Sequence, residues 1–205
     1  MQGEVLFPIL FSLYVNDFEN EFIANGNCAI EFQDITIFLL MYADDMIVMS
    51  KSVEGLQNML NTLYDYTRKW GLSVNIKKTK IVVFSKGGNI RPNEAWVYNG
   101  SNIDIVDQFC FLGVLFHYNC KFYVTQKHCA EQGRKAMLSM RKNTSSLRLN
   151  IFTMLSLFDT YVCSILLYGG EIWGIHKAPM VEKVQLDYSK MLLGVKRCTA
   201  INVMI

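Results

Sequence analysis

Residues 35–50 read ITIFLLMYADDMIVMS: an apolar run, two adjacent carboxylates, then a second apolar run of four. Each run is too short for an ordinary helix and suits a buried strand. The pattern predicts a hairpin with Ala43, Asp44 and Asp45 at or near its turn. It also limits what the apolar stretches can do. Ile35–Ala43 is closed off by Asp34 and Asp44, and Val5–Val15 is broken by Pro8 and Ser12. Both fall short of the roughly 18 to 20 residues that a membrane helix needs.

A helix is expected directly after the hairpin. Ser52 can cap it, and Glu54 lies in its first turn beside the positive end of the dipole. Leu56, Met59, Leu60, Leu63, Tyr66, Thr67 and Trp70 recur at three- and four-residue spacing, so one face lies on a sheet. Gly71 is placed to end this helix at C′. Beyond it, Leu72, Val74 and Ile76 alternate and Lys80–Phe84 has strand character. Ser85–Asn93 reads as a loop, and short strands follow around Ala95–Tyr98, Ile103–Val106 and Phe109–Phe116, with a turn at Asn99 and Gly100. From Thr125 the signals are helical, with candidates at Thr125–Lys142, Ile151–Leu167 and Ala178–Leu193. The expected fold class is α+β, divided near residue 122.

With 205 residues, 51% of them hydrophobic and only 3 Pro, the chain can bury its own core and is not a linker or a disordered tail. Glu4, not a basic segment, precedes the first apolar stretch, which argues against a signal peptide. The cysteines at 28, 110, 120, 129, 163 and 198 form no C-x-x-C pair and no zinc-finger spacing with His. They read as reduced core thiols of an intracellular protein, with nucleus and cytoplasm not distinguished.

The net charge of +2 conceals an asymmetry. Residues 1–67 hold ten acidic side chains against one basic, Lys51, and so carry −9; residues 68–205 hold eight acids and 19 bases, giving +11. Carboxylates around a cation followed by a surface for a polyanion would produce this balance. Two solvated faces of opposite sign would produce it as well.

Adjacent aspartates at a hairpin tip repel unless something compensates them, and a divalent cation does. Oxygen ligands suit Mg²⁺, which completes its shell with water and substrate phosphates. Two such ions could activate an attacking hydroxyl and steady a leaving oxygen. Neighbouring side chains of an extended segment point to opposite faces, so one aspartate is expected to be the direct ligand and the other auxiliary.

Tyr42, Ala43, Asp44 and Asp45 between two apolar strands resemble the active-site box of reverse transcriptases, in the form found in non-long-terminal-repeat (LINE-like) retrotransposons. Gln2, Gly3, Leu6, Pro8, Leu10, Phe11, Leu13, Tyr14, Asn16 and Asp17 resemble the family's Gln-Gly box. Trp70, Gly71, Leu72, Val74, Asn75, Lys78, Thr79 and Lys80 are similar to its next box. Phe109, Phe111, Leu112 and Gly113 resemble the primer-grip hairpin, and Leu167, Tyr168, Gly169, Glu171 and Trp173 a landmark beyond it. The resemblance implies a partial right-hand polymerase palm over 1–122 and a helical thumb or connection over 123–205.

It also implies roles. Asp44 and Asp45 would hold Mg²⁺ or Mn²⁺, Asp44 as main ligand, with Lys78 near the incoming triphosphate. Gln2 and Gly3 would lie by the nascent base pair, and Tyr42 and Ala43 under the primer terminus. Phe111, Leu112 and Gly113 would turn under the primer backbone, while Lys127, Arg134, Lys135, Arg141, Lys142 and Arg148 would face phosphates. The implied partners are an RNA template, a DNA primer and deoxynucleoside triphosphates, with no membrane. On their chemistry alone Tyr42 and Trp70 read as core residues, and Lys77, Lys78 and Lys80 as a solvated turn.

Two departures qualify the resemblance. The family's upstream box, with its first catalytic aspartate, and the basic finger residues do not precede Gln2 here, and Phe7 stands where the family usually has serine. The expectation is a fragment of an RNA-directed DNA polymerase, inactive by itself; the alternative is a non-catalytic nucleic-acid-binding remnant. Phe7 is expected to overpack the Gln-Gly loop.

Overall fold

The computed structural model describes residues 6–24, 30–85, 94–196 and 198–199. Gln2, Gly3, Cys28 and most of the 85–93 loop lie outside them, as does the side chain of Phe7. The chain divides into two compact units, Met1–Val83 with Asn89–Val106, and Phe84–Gly88 with Asp107–Ile205. Helices and small strand pairs make up both, so the class is mixed α+β.

The first unit opens with α1 (Phe7–Tyr14) and α2 (Phe18–Ala24), then β1 (Ile30–Phe32), β2 (Ile35–Ile37), β3 (Leu39–Tyr42) and β4 (Asp45–Val48). α3 (Val53–Lys69) is followed by β5 (Lys80–Ile81), β6 (Val97–Tyr98), β7 (Ser101–Asn102) and β8 (Asp104–Ile105). The strands pair as separate two-stranded ladders: β1–β2, β3–β4 and β6–β7 antiparallel, and β5–β8 parallel. The hairpin-bearing antiparallel sheet of the expected palm is thus present among the described residues only as separate two-stranded ladders, one of them parallel. Their strands are two to four residues long, at or below the short end of the usual range.

α3 organises this unit. The Ser52 hydroxyl accepts from the Gly55 amide at 3.0 Å, as the capping pattern requires. Met59, Leu60, Leu63, Tyr66 and Thr67 turn inward, with Leu56 and Trp70 partly buried against the same core. Phe18 and Phe22 of α2, together with Phe38, Trp96, Tyr98 and Ile103, complete it. The Tyr66 hydroxyl donates to the Asp17 carboxylate at 2.6 Å. Burial, that hydrogen bond and the negative charges of Asp17 and Glu21 all hold the phenol in its protonated form.

The end of α3 is a Schellman closure: the Leu72 amide reaches the Thr67 carbonyl at 2.8 Å, with Gly71 at φ +65°. A Cβ on residue 71 would meet nothing within 4 Å. The cost of Gly71→Ala should thus be purely conformational, about 1–2 kcal/mol for a left-handed non-glycine. Urea denaturation of the variant checks this.

In the second unit β9 (Gln108–Phe111) and β10 (Val114–His117) form a hairpin, followed by α4 (Tyr123–Thr144), α5 (Ile151–Phe158), a π-helical turn over Asp159–Cys163, α6 (Ser164–Leu166), α7 (Gly170–Trp173) and α8 (Pro179–Leu192). The inward faces of these helices meet around Cys129, Met137, Phe158, Val162, Leu166, Trp173, Val184 and Tyr188. Phe158 stacks on Tyr188 at 4.1 Å between ring centroids, and the Tyr188 hydroxyl donates to the Met154 carbonyl at 2.7 Å. No described helix is long and apolar enough to cross a membrane.

Several expectations need correction. The 35–43 run does not form one strand: it bends at Phe38, whose side chain is buried in the core, and so divides between β2 and β3. The alternation at Leu72, Val74 and Ile76 buries these side chains partly without a ladder. The cysteines are only partly core residues. Cys129 is buried and Cys163 half-buried, but Cys110, Cys120 and Cys198 are exposed.

Candidate active site

The β3–β4 ladder pairs Leu39 with Val48, Leu40 with Ile47, Met41 with Met46 and Tyr42 with Asp45. That register leaves Ala43 and Asp44 as the two-residue turn and makes Asp45 the first residue of β4. Ala43 adopts φ +52°, a left-handed conformation for which alanine, unlike Asn or Asp, has no local hydrogen bond to favour it, so the closure of the hairpin imposes it. Inward-facing Leu39, Met46 and Val48 anchor the base of the hairpin in the core. The carboxylates are thereby held out on a short lever.

Asp44 and Asp45 are both exposed, and neither carboxylate is hydrogen-bonded or ion-paired to another described residue. Among the described residues no three His, Cys, Asp or Glu side chains come together as a metal-binding group. The pair can contribute to an ion's shell but cannot enclose one. Tyr42 is 64% exposed, which overturns its reading as a core residue. Its partner across the ladder is Asp45, so the ring stands on the open surface beside the carboxylates.

Lys78 lies in the turn Asn75–Lys78, closed by the Lys78 and Thr79 amides on Asn75. It is exposed and forms no described ion pair, so its ammonium is open to an anion. Lys80, by contrast, is committed to Asp104 across the β5–β8 pair. Trp70 is half-buried, with Tyr14 edge-on at 5.3 Å and the Tyr14 hydroxyl donating to its carbonyl.

In the second unit, Phe111 ends β9 and Leu112 and Gly113 form the turn into β10. On α4, Thr125, Gln126, Cys129, Ala130, Gly133 and Met137 are buried. At about 100° per residue, Lys135 and Lys142 fall opposite this buried face, and Lys127, Arg134 and Arg141 lie along its flank. All five are exposed, as is Arg148 after the helix. Glu131 is the acidic residue on the exposed side of α4.

The reverse transcriptase (RNA-dependent DNA polymerase) family profile matches residues 1–116, more than half of the chain. The chain belongs to the reverse transcriptase family. The matched residues include the carboxylate hairpin, Lys78 and the Leu112–Gly113 turn. The chain is 25% identical over 199 residues to the RNA-directed DNA polymerase from mobile element jockey of Drosophila funebris, covering 93% of this chain and 21% of the relative. It is 26% identical over 209 residues to the probable RNA-directed DNA polymerase from transposon BS of Drosophila melanogaster, covering 96% of this chain and 22% of that protein. This reverse transcriptase sequence therefore spans about a fifth of the length of these curated relatives. No solved structure matches it.

Proposed function

We propose that these residues are the metal-holding hairpin and part of the nucleic-acid surface of an RNA-directed DNA polymerase of a LINE-like retrotransposon. The reaction adds deoxynucleotides to a primer 3′-hydroxyl on an RNA template. In this reading residues 1–122 are the second half of a polymerase palm and residues 123–205 a helical thumb or connection. The observation that carries it is the exposed pair of Asp44 in the tight turn and Asp45 beside it on β4, on a hairpin rooted in the core, within a chain of this family.

Mg²⁺ or Mn²⁺ fits that donor set: two hard carboxylate oxygens in water, with space for solvent and phosphate ligands. When bound, the ions would polarise the primer hydroxyl and the α-phosphate. Asp44, at the apex, is the main ligand, and Asp45 the auxiliary one. Ala43 permits close approach of the primer end, with the exposed Tyr42 ring beside it. Lys78 offers an unpaired ammonium to the triphosphate, where it can offset charge or deliver a proton to pyrophosphate. Phe111, Leu112 and Gly113 support the primer backbone. Gln2 and Gly3, outside the described residues, take their place by the nascent base pair from the resemblance alone.

The exposed bases of α4 and Arg148 face phosphates. Because this attraction is electrostatic, binding of RNA–DNA duplex should be independent of sequence and fall as salt rises. Arg134→Ala combined with Arg141→Ala should reduce the log–log salt slope by roughly 2, about one for each phosphate that is no longer neutralised. Asp44→Asn should leave duplex affinity intact or slightly higher. A slope unchanged by removing both arginines would contradict this assignment. The exposed basic face is also what favours the alternative reading, a binding remnant without catalysis. The two readings part at the metal, which the remnant has no need to hold.

A further inference from the structure

We propose that Tyr168 is a positioning residue that fixes the Leu112–Gly113 turn in the shape that supports the primer strand; this rests on the function proposed above. Among the described residues two hairpin turns share one backbone signature. Asn99 and Gly100 join β6 to β7 at φ +47° and +73°; Leu112 and Gly113 join β9 to β10 at φ +46° and +78°. The first has the Asn-Gly sequence that forms such a turn unaided, and a Cβ on Gly100 would meet nothing within 4 Å. Leu112, branched and without a local hydrogen-bonding side chain, has no such intrinsic preference for the left-handed region. A conformation of this kind persists when its surroundings impose it.

Tyr168 provides that constraint. Its hydroxyl donates to the Leu112 carbonyl at 2.8 Å. Its ring lies over the next residue so closely that a Cβ on Gly113 would come 2.7 Å from ring atom Cε1. The clamp is itself held from behind: the buried Trp173 donates its indole N–H to the Tyr168 carbonyl at 2.8 Å. Gly169, at φ +65°, lets the chain pass β10 where a Cβ would approach Val114 Cγ2 to 2.8 Å. Tyr168, Leu112 and Gly113 are nevertheless not enclosed in the core, since Tyr168 is 52% exposed and both turn residues face solvent. The arrangement stiffens the turn while leaving its backbone accessible, as a support for a phosphate strand requires.

The test compares the affinity of the 205-residue chain for a DNA primer recessed on an RNA template with that for a blunt RNA–DNA duplex of equal length. Tyr168→Phe keeps the ring and removes the hydroxyl. It should lower the preference for the recessed end roughly fivefold, the scale of one hydrogen bond. Blunt-duplex affinity should not change, and the thermal midpoint should fall by no more than the roughly 2–4 °C that one hydrogen bond is worth. Gly113→Ala, which forces the ring and turn apart, should lose the same preference with Tyr168 still present. A preference retained within about twofold in Tyr168→Phe would overturn the proposal and leave the polymerase reading standing. So would a fall of both affinities together with the midpoint, the mark of a purely structural role. A wild-type chain with no preference for the recessed end would overturn both the proposal and that reading.

Discussion

Primer extension by the 205-residue polypeptide should stay at background on a homopolymer RNA template, with Mg²⁺ or Mn²⁺, and should be indistinguishable from Asp44→Asn. Two-metal phosphoryl transfer needs both ions held against the attacking hydroxyl and the α-phosphate, and errors near 1 Å can cost about 100-fold. Here two carboxylates project from one exposed hairpin tip, and among the described residues no third His, Cys, Asp or Glu joins them. Nucleic acid and nucleotide could supply phosphate oxygens, but not a protein carboxylate bridging the ions. Extension that vanishes in Asp44→Asn would contradict this and would mean that a further carboxylate joins the pair.

The second large effect concerns stability. Met59 is fully buried on α3, amid the core that anchors the carboxylate hairpin. Met59→Ala should destabilise the first unit by about 2–5 kcal/mol, since the lost methylenes leave a cavity that the surrounding rings can only partly fill. Met59→Leu, close in volume, should cost less than about 1.5 kcal/mol. Met41→Ala is the comparison on the hairpin itself: Met41 is exposed, and its loss should stay within roughly 0.5 kcal/mol. Urea unfolding followed by circular dichroism gives all three values. Equal midpoints for Met59→Ala and Met41→Ala would show that the core does not centre on α3.

Local chemistry explains which elements are legible in the sequence. Ser52, the inward face from Leu56 to Trp70 and Gly71 specify α3 by capping, periodicity and a left-handed stop, all within one segment. Asn99–Gly100 specifies its turn in the same way. The carboxylate hairpin is visible because charge interrupts two apolar runs. Phe38 is not legible as a bend, because an apolar residue inside an apolar run carries no break signal; only its long-range packing on Phe22 decides the matter. α1 escapes notice for a related reason. Val5–Val15 is too uniformly apolar for a face to be seen, and Leu6, Ile9, Leu10 and Leu13 indeed remain exposed.

The site shows the same division. Asp44 and Asp45 are identifiable as a pair, but their unequal places, one in the turn and one on the strand, follow from the register. The exposure of Tyr42 follows from it too. Tyr168 is recognisable only as part of a landmark. Its hydrogen bond to Leu112 spans 56 residues, and its one sequence trace is a glycine at 113 where the ring approaches.

The central claim is that Asp44 and Asp45 hold a catalytic metal, and Mn²⁺ binding followed by water-proton relaxation tests it most directly. The free chain should bind Mn²⁺ only weakly, because two exposed carboxylates must share the ion with water. Adding recessed primer–template and a deoxynucleoside triphosphate should tighten binding, with Asp44→Asn abolishing the gain and Asp45→Asn reducing it less. Tight stoichiometric Mn²⁺ binding without nucleic acid, or an Asp44→Asn chain that gains as much as the wild type, would contradict the account.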